Sequence, residues 1–207
     1  RRFAGPQNGC HLARAADGKT FTPMKRISEG ERCRVIPWGP SRLVLTYQTR
    51  ARKRLPWQGR YRLSTDDGKT WGKPQPVSKL WGTSDLQAVA LPDGSLRFFF
   101  VVRKGRGSAI QSSTLRAGKL TERRLTRPTR RDIFPFGLVT GSALWLYFAR
   151  EKRPMDFDVL GRWLPLPRVK KPRPRPVTQR GMAPRPRTKP AKPRPRRFSR
   201  PAPRSDR

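Results

Sequence analysis

Three short apolar runs recur along the chain: Leu43-Val44-Leu45-Thr46-Tyr47, Phe98-Phe99-Phe100-Val101-Val102 and Leu144-Trp145-Leu146-Tyr147-Phe148. Each follows a serine (Ser41, Ser95, Ser142) and each is followed by an arginine (Arg50, Arg103, Arg150). Turn chemistry precedes every serine, as Trp38-Gly39-Pro40, Pro92-Asp93-Gly94 and Thr140-Gly141. Aromatic and β-branched runs bounded by such turns read as strands of antiparallel hairpins. No stretch carries a 3.6-residue apolar period, so the pattern predicts an all-β body. Its strands include about 42–49, 96–102 and 143–149.

A second repeat interleaves with the first. Gly18, Gly68 and Gly118 are evenly spaced, and the segments around them are related: Arg14–Phe21, Ser64–Trp71 and Thr114–Thr121. A poorer copy is Asp156–Trp163, in which the glycine comes one place late. One unit then reads as four strands joined by turns over roughly 50 residues, the signature of a propeller blade. The chain starts inside a unit, with strands near 10–15 and 22–27. Two fuller units follow over about 31–79 and 85–127, and a fourth over about 132–168 has a weak second hairpin.

The segment Ser64-x-Asp66-x-Gly68-x-Thr70-Trp71 matches every position of the Asp-box, or BNR repeat. The chain therefore resembles part of a sialidase-like propeller over about residues 10–163. Ala16 and Arg116 replace the aspartate in the other copies, and Phe21 and Thr121 replace the tryptophan, so only the box at 64–71 is expected to form fully. The residue types fit a structural role. Gly68 supplies a positive φ, Asp66 accepts from turn amides, Thr70 adds a hydroxyl and Trp71 packs between sheets. The resemblance implies the same, because in the family the box lies opposite the active site.

Sialidases use an arginine triad, a tyrosine nucleophile with a glutamate, and an acidic acid/base; the tyrosine is an exception among glycosidases. That set is not assigned on this chain. Tyr47, Tyr61 and Tyr147 all fall in or beside predicted strands, and Arg34-Val35-Ile36-Pro37 is similar to the family's Arg-Ile-Pro motif but carries an extra residue. Meander connectivity is more informative. Arg50, Arg103 and Arg150 end second strands, while Glu31, Asp85 and Asp132, each ten residues before a serine, begin first strands. Both sets belong on the face opposite the box. They read either as salt bridges from unit to unit or as an anion-binding mouth.

Composition adds a tail. The chain holds 49 Lys+Arg against 13 Asp+Glu, a net charge of +36 over 207 residues. Residues 165–207 hold 12 of the 23 prolines and a single acid, Asp206. Proline at alternate positions forbids helix and removes sheet donors, so this segment is expected to be disordered and basic. Its charge suits nonspecific polyanion binding, of nucleic acid or an acidic surface. Its restricted alphabet is also what an out-of-frame, GC-rich reading produces.

No apolar run approaches the ~20 residues of a membrane helix. One histidine, His11, and two cysteines, Cys10 and Cys33, exclude a four-ligand zinc site or a disulfide scaffold, and no metal or cofactor is expected. Cys10 precedes the third strand of one unit and Cys33 lies in the first strand of the next, so no essential disulfide is expected between them. The chain starts at Arg1 without a methionine or signal segment and reads as processed or as a fragment. Compartment is open, with the family resemblance alone suggesting a secreted or envelope protein; oligomeric state is open too.

These readings favour an incomplete propeller of about three and a half blades over 1–164, followed by the tail. The favoured function is a non-catalytic module that binds anionic carbohydrate or serves as a scaffold. The alternatives are a fragment of an exo-α-sialidase-like glycosidase and a polyanion binder acting through 165–207.

Overall fold

The computed structural model describes residues 9–15, 18–50, 55–128, 130–141 and 143–166. Ala16, Asp17, Ser142 and all of the Pro/Arg tail except Pro165 and Leu166 lie outside the described residues. The described residues contain no helix, hence none long and apolar enough to cross a membrane.

The strands form four antiparallel sheets, and in each a strand pairs with its neighbour in sequence. The first sheet holds β1 (Cys10–Leu12) and β2 (Lys25–Ser28). The second holds β3 (Glu31–Pro37), β4 (Leu43–Thr49), β5 (Gln58–Ser64) and β6 (Gln75–Pro76). The third holds β7 (Thr83–Ala90), β8 (Leu96–Lys104), β9 (Gly107–Arg116) and β10 (Lys119–Arg124). The fourth holds β11 (Asp132–Thr140), β12 (Ala143–Arg153) and β13 (Asp156–Pro165). The three apolar runs are β4, β8 and β12, the second strand of each of the last three sheets. One expectation fails here: 156–163 is no turn. It lies in β13, and the hairpin turn before it contains Met155 with φ +67°.

The sheets stack in sequence order, and the strand period of two explains how. Phe98 and Phe100 on β8 face the second sheet, where they bury Val44, Tyr61 and Val77. Phe99 and Val101 point the other way, against Leu144, Leu146 and Phe148 of β12. A strand buried on both faces loses polar alternation, which is why this run is unbroken phenylalanine. Each such side chain contributes about 1.5–3 kcal/mol by leaving water. A smaller core joins the first and second sheets through Cys10, Ile27, Leu45 and Tyr47.

Cys10 and Cys33 are joined by a disulfide, against expectation, with Cα atoms 5.6 Å apart. Order along the chain separates the two strands, but stacking brings them together. Cys10 points into the interface between the first two sheets, and β1 lies close to β3 across it. Sequence position within a unit reveals which strand a residue occupies, not which strand of the next sheet it meets.

Candidate functional site

The turn at one end of the second sheet is held from within. The Asp66 carboxylate accepts from the Thr70 amide at 2.9 and 3.0 Å, from the Thr70 hydroxyl at 2.6 Å and from the Ser64 hydroxyl at 2.7 Å. The Gly68 amide donates to Ser64 Oγ at 2.7 Å, and Gly68 itself has φ +73°. Hydrogen bonds from Thr70, chiefly from its side chain, hold the Asp66 carboxyl down at about 2. Trp71 packs against the core between the first and second sheets. Arg62 on β5 donates to the carbonyls of Trp71 and Gly72, and also to Ile27 of the first sheet. The polar side chains of Ser64, Asp66 and Thr70 are thus bonded within the turn itself.

The opposite ends of the sheets are built differently. In each of the last three sheets the first strand carries a bulge, where two residues face one on the second strand. The bulges fall between Glu31 and Arg34, Ser84 and Gln87, and Ile133 and Phe136. The first bulged residue is in the left-handed region each time: Arg32 at +55°, Asp85 at +49° and Phe134 at +53°. None is a glycine, so each position is strained and held by its surroundings. A bulge re-aims a side chain out of the sheet's alternation. Here Arg32 donates to the Asp85 carboxylate across two sheets.

These residues meet in a cleft of about 180 Å³, lined also by Gln48, Trp57, Ser84, Arg103, Arg131 and Ile133. Three guanidinium groups therefore face a single carboxylate in the lining. Arg131 also approaches Glu151 at 3.6 Å. Among the described residues Arg103 has no carboxylate partner. The cleft shares Arg32, Gln48, Asp85 and Phe134 with a larger cavity of about 590 Å³.

The six residues singled out in the sequence divide among several environments. Arg103 and Asp85 line the cleft. Arg150 instead grips the buried Asp132 of its own sheet through Nε at 2.7 Å and Nη2 at 3.0 Å, and that bond raises its pKa further. Arg50 stacks 4.3 Å above the Trp57 ring and lines a separate cavity of about 620 Å³ with Arg26, Arg60 and Arg62. Glu31 is exposed and lines neither. The three acids are also not equivalent in the sheets. Bulge registration aligns Arg32, Asp85 and Phe134, so Glu31 falls one place early and Asp132 two.

No family model matches the chain. No curated protein matches it either. Among solved structures it is similar to the NanB sialidase of Streptococcus pneumoniae, solved with 2-[(3-chlorobenzyl)ammonio]ethanesulfonate, at 13% identity and a TM-score of 0.48. That likeness covers 68% of this chain and 24% of the other, so the chain spans about a quarter of its neighbour's length.

Sequence reasoning missed Arg32, Arg131, Trp57 and Phe134. Arg32 and Phe134 have a structural signal, a residue inserted into strand alternation, but only a known pairing exposes it. Among the described residues no group of His, Cys, Asp and Glu could hold a metal ion. The tyrosines offer no nucleophile at the cleft: Tyr47 and Tyr61 are buried in cores, and Tyr147 lies on the fourth sheet.

Proposed function

We propose that residues 1–164 form blades of a sialidase-like β-propeller whose bulge-lined cleft binds an anionic carbohydrate without cleaving it. The observation that carries this reading is the cleft's imbalance of charge: Arg32, Arg103 and Arg131 line it with Asp85 as the one acid of the lining. Among the described residues Arg103 keeps no carboxylate partner after Arg32 pairs with Asp85 and Arg131 with Glu151. Guanidinium forks pair bidentately with carboxylate or sulfate, and the exposed Phe134 supplies an apolar face for a sugar ring. Glycoside hydrolysis uses two carboxylates, or a tyrosine nucleophile together with acidic partners. The one carboxylate lining this cleft is already engaged by Arg32. The stacked meanders and the 64–71 turn support the propeller reading. The Cys10–Cys33 disulfide supports an oxidising compartment.

The test is calorimetric titration of the chain, in about 0.15 M salt, with N-acetylneuraminic acid and with a sulfated monosaccharide. Monovalent sugars keep the polybasic tail from dominating the signal. Arg103→Ala should weaken binding at least tenfold, and Arg103→Lys should weaken it less, because lysine keeps the charge and loses the fork. No saturable binding by the parent chain would end the proposal.

A further inference from the structure

Two adjoining cavities lie between the first and second sheets and share no lining residue with the cleft. One, of about 620 Å³, is lined by Arg26, Arg50, Arg60 and Arg62. The other, of about 660 Å³, shares Arg26, Ile27 and Arg62 with it and adds Arg14, Lys25 and Lys69. They form one groove along β5, from Gln58 to the turn at 64–71, about 20 Å at the strand rise. Both walls belong to the chain, and the two sheets already share the core of Cys10, Ile27, Leu45 and Tyr47. The lining holds seven cations and one acid, Glu29, which is exposed and lies 3.8 Å from Arg26.

The strand period sets Gln58, Arg60 and Arg62 on the face of β5 that looks toward the first sheet, with Tyr61 on the other. Arg60 lies beside Tyr47 and Arg62 beside Leu45. The same face of β9 carries Ala109, Gln111, Ser113 and Leu115, all buried. That of β13 carries Leu160, Arg162 and Leu164. Arg62 and Arg162 do the same work, each donating to a backbone carbonyl at the outer edge of the sheet before, Ile27 and Leu125. Arg60 has no such counterpart. It donates to Gln58 at 2.8 Å, its Nε is buried without an acceptor, and among the described residues it has no carboxylate partner. A half-buried cation loses hydration that only an anion restores in full.

We propose that this groove binds a linear acidic polysaccharide, with Arg60 pairing a sulfate or carboxylate of that chain. The inference does not depend on the cleft. Walls of one charge sign concentrate anions, and guanidinium forks suit both groups. Cations spread over two cavities match a ligand whose charge repeats. A nucleic acid strand also repeats its charge, but single strands are held by bases stacked on aromatic faces. Of the aromatic residues in the lining, Tyr47 is buried and Trp71 packs on the core, which leaves one exposed ring, Trp81. That favours sugar over bases.

Fluorescence anisotropy of the full chain tests this in about 0.15 M salt, with a labelled heparin octasaccharide and an oligogalacturonate of equal length. The tail attracts any polyanion, so each groove variant is read against one of equal charge elsewhere. Arg60→Gln with Lys69→Gln should weaken the tighter ligand at least tenfold, and Arg60→Lys should weaken it less than Arg60→Gln. Lys119→Gln with Arg124→Gln, on the exposed β10, should weaken it no more than about twofold. If Arg60→Gln proves unfolded, Lys25→Gln with Lys69→Gln replaces it, since both side chains are exposed. Equal losses in the groove and β10 variants overturn the proposal, as does the absence of saturable binding by either oligosaccharide. A loss caused by Arg103→Ala and not by the groove variants puts the ligand in the cleft and overturns it. An oligothymidylate that binds more tightly than both glycans, with the same sensitivity to Arg60→Gln, overturns it too.

Discussion

Arg150 and Asp132 hold each other in a two-pronged bond across the β11–β12 pair, with the carboxylate fully buried. A buried charge that loses its partner is costly, at ~3–5 kcal/mol, and the partial exposure of the arginine reduces that figure. Arg150→Met is therefore expected to destabilise the chain by about 2 kcal/mol in urea unfolding. It should leave anion affinity unchanged, because this arginine is committed to the fold. A loss of ligand affinity with no change in stability would contradict the assignment.

The 64–71 turn carries a pH signature. Asp66 is held down at about 2, below the ~3.9 of an unfolded aspartate. A depressed carboxylate contributes stability that is fully present above the unfolded value and is lost as pH falls through the folded one. The melting temperature should therefore decline between about pH 4 and pH 2, and Asp66→Asn should flatten part of that decline. Asp66→Ala should lower the melting temperature by several degrees at pH 7. Identical acid limbs for parent and Asp66→Asn would refute the role given to this carboxylate.

The disulfide closes a loop with a sequence separation of 23. Chain-entropy arguments assign such a loop about 3 kcal/mol of stabilisation. Reduction, or the double change Cys10→Ser and Cys33→Ser, should lower the urea midpoint accordingly. Added reductant should have no further effect on the double variant.

Gly137 lets the third and fourth sheets approach closely. A Cβ built there would lie 2.5 Å from the Phe99 ring and 2.7 Å from Val89. Gly137→Ala should cost about 2–3 kcal/mol by overpacking, readable as a lower midpoint in denaturant.

Strand existence was legible because apolar side chains recur at the second strand of each of the last three sheets, and Phe98-Phe99-Phe100 announces burial on both faces. The turn at 64–71 was legible because a short polar segment can satisfy itself, so its chemistry stays local in sequence. The cleft was not. Arg103 and Asp85 stood out through spacing, but Arg32 and Phe134 join them there because of bulges. A bulge is a property of a strand pair, and the ten-residue count from acid to serine slid past it by one place at Glu31 and two at Asp132. The disulfide was hidden for a similar reason, since it connects stacked sheets rather than paired strands.

The bulged position in each first strand has a consequence for how such a molecule can change. Its occupant answers neither to the core nor to the alternation of its neighbours, and arginine, aspartate and phenylalanine succeed one another there. The scaffold thus exposes one interchangeable letter per repeat at a shared rim. Rewriting those letters would change the charge and shape of the rim while the stacked phenylalanines beneath remain as they were.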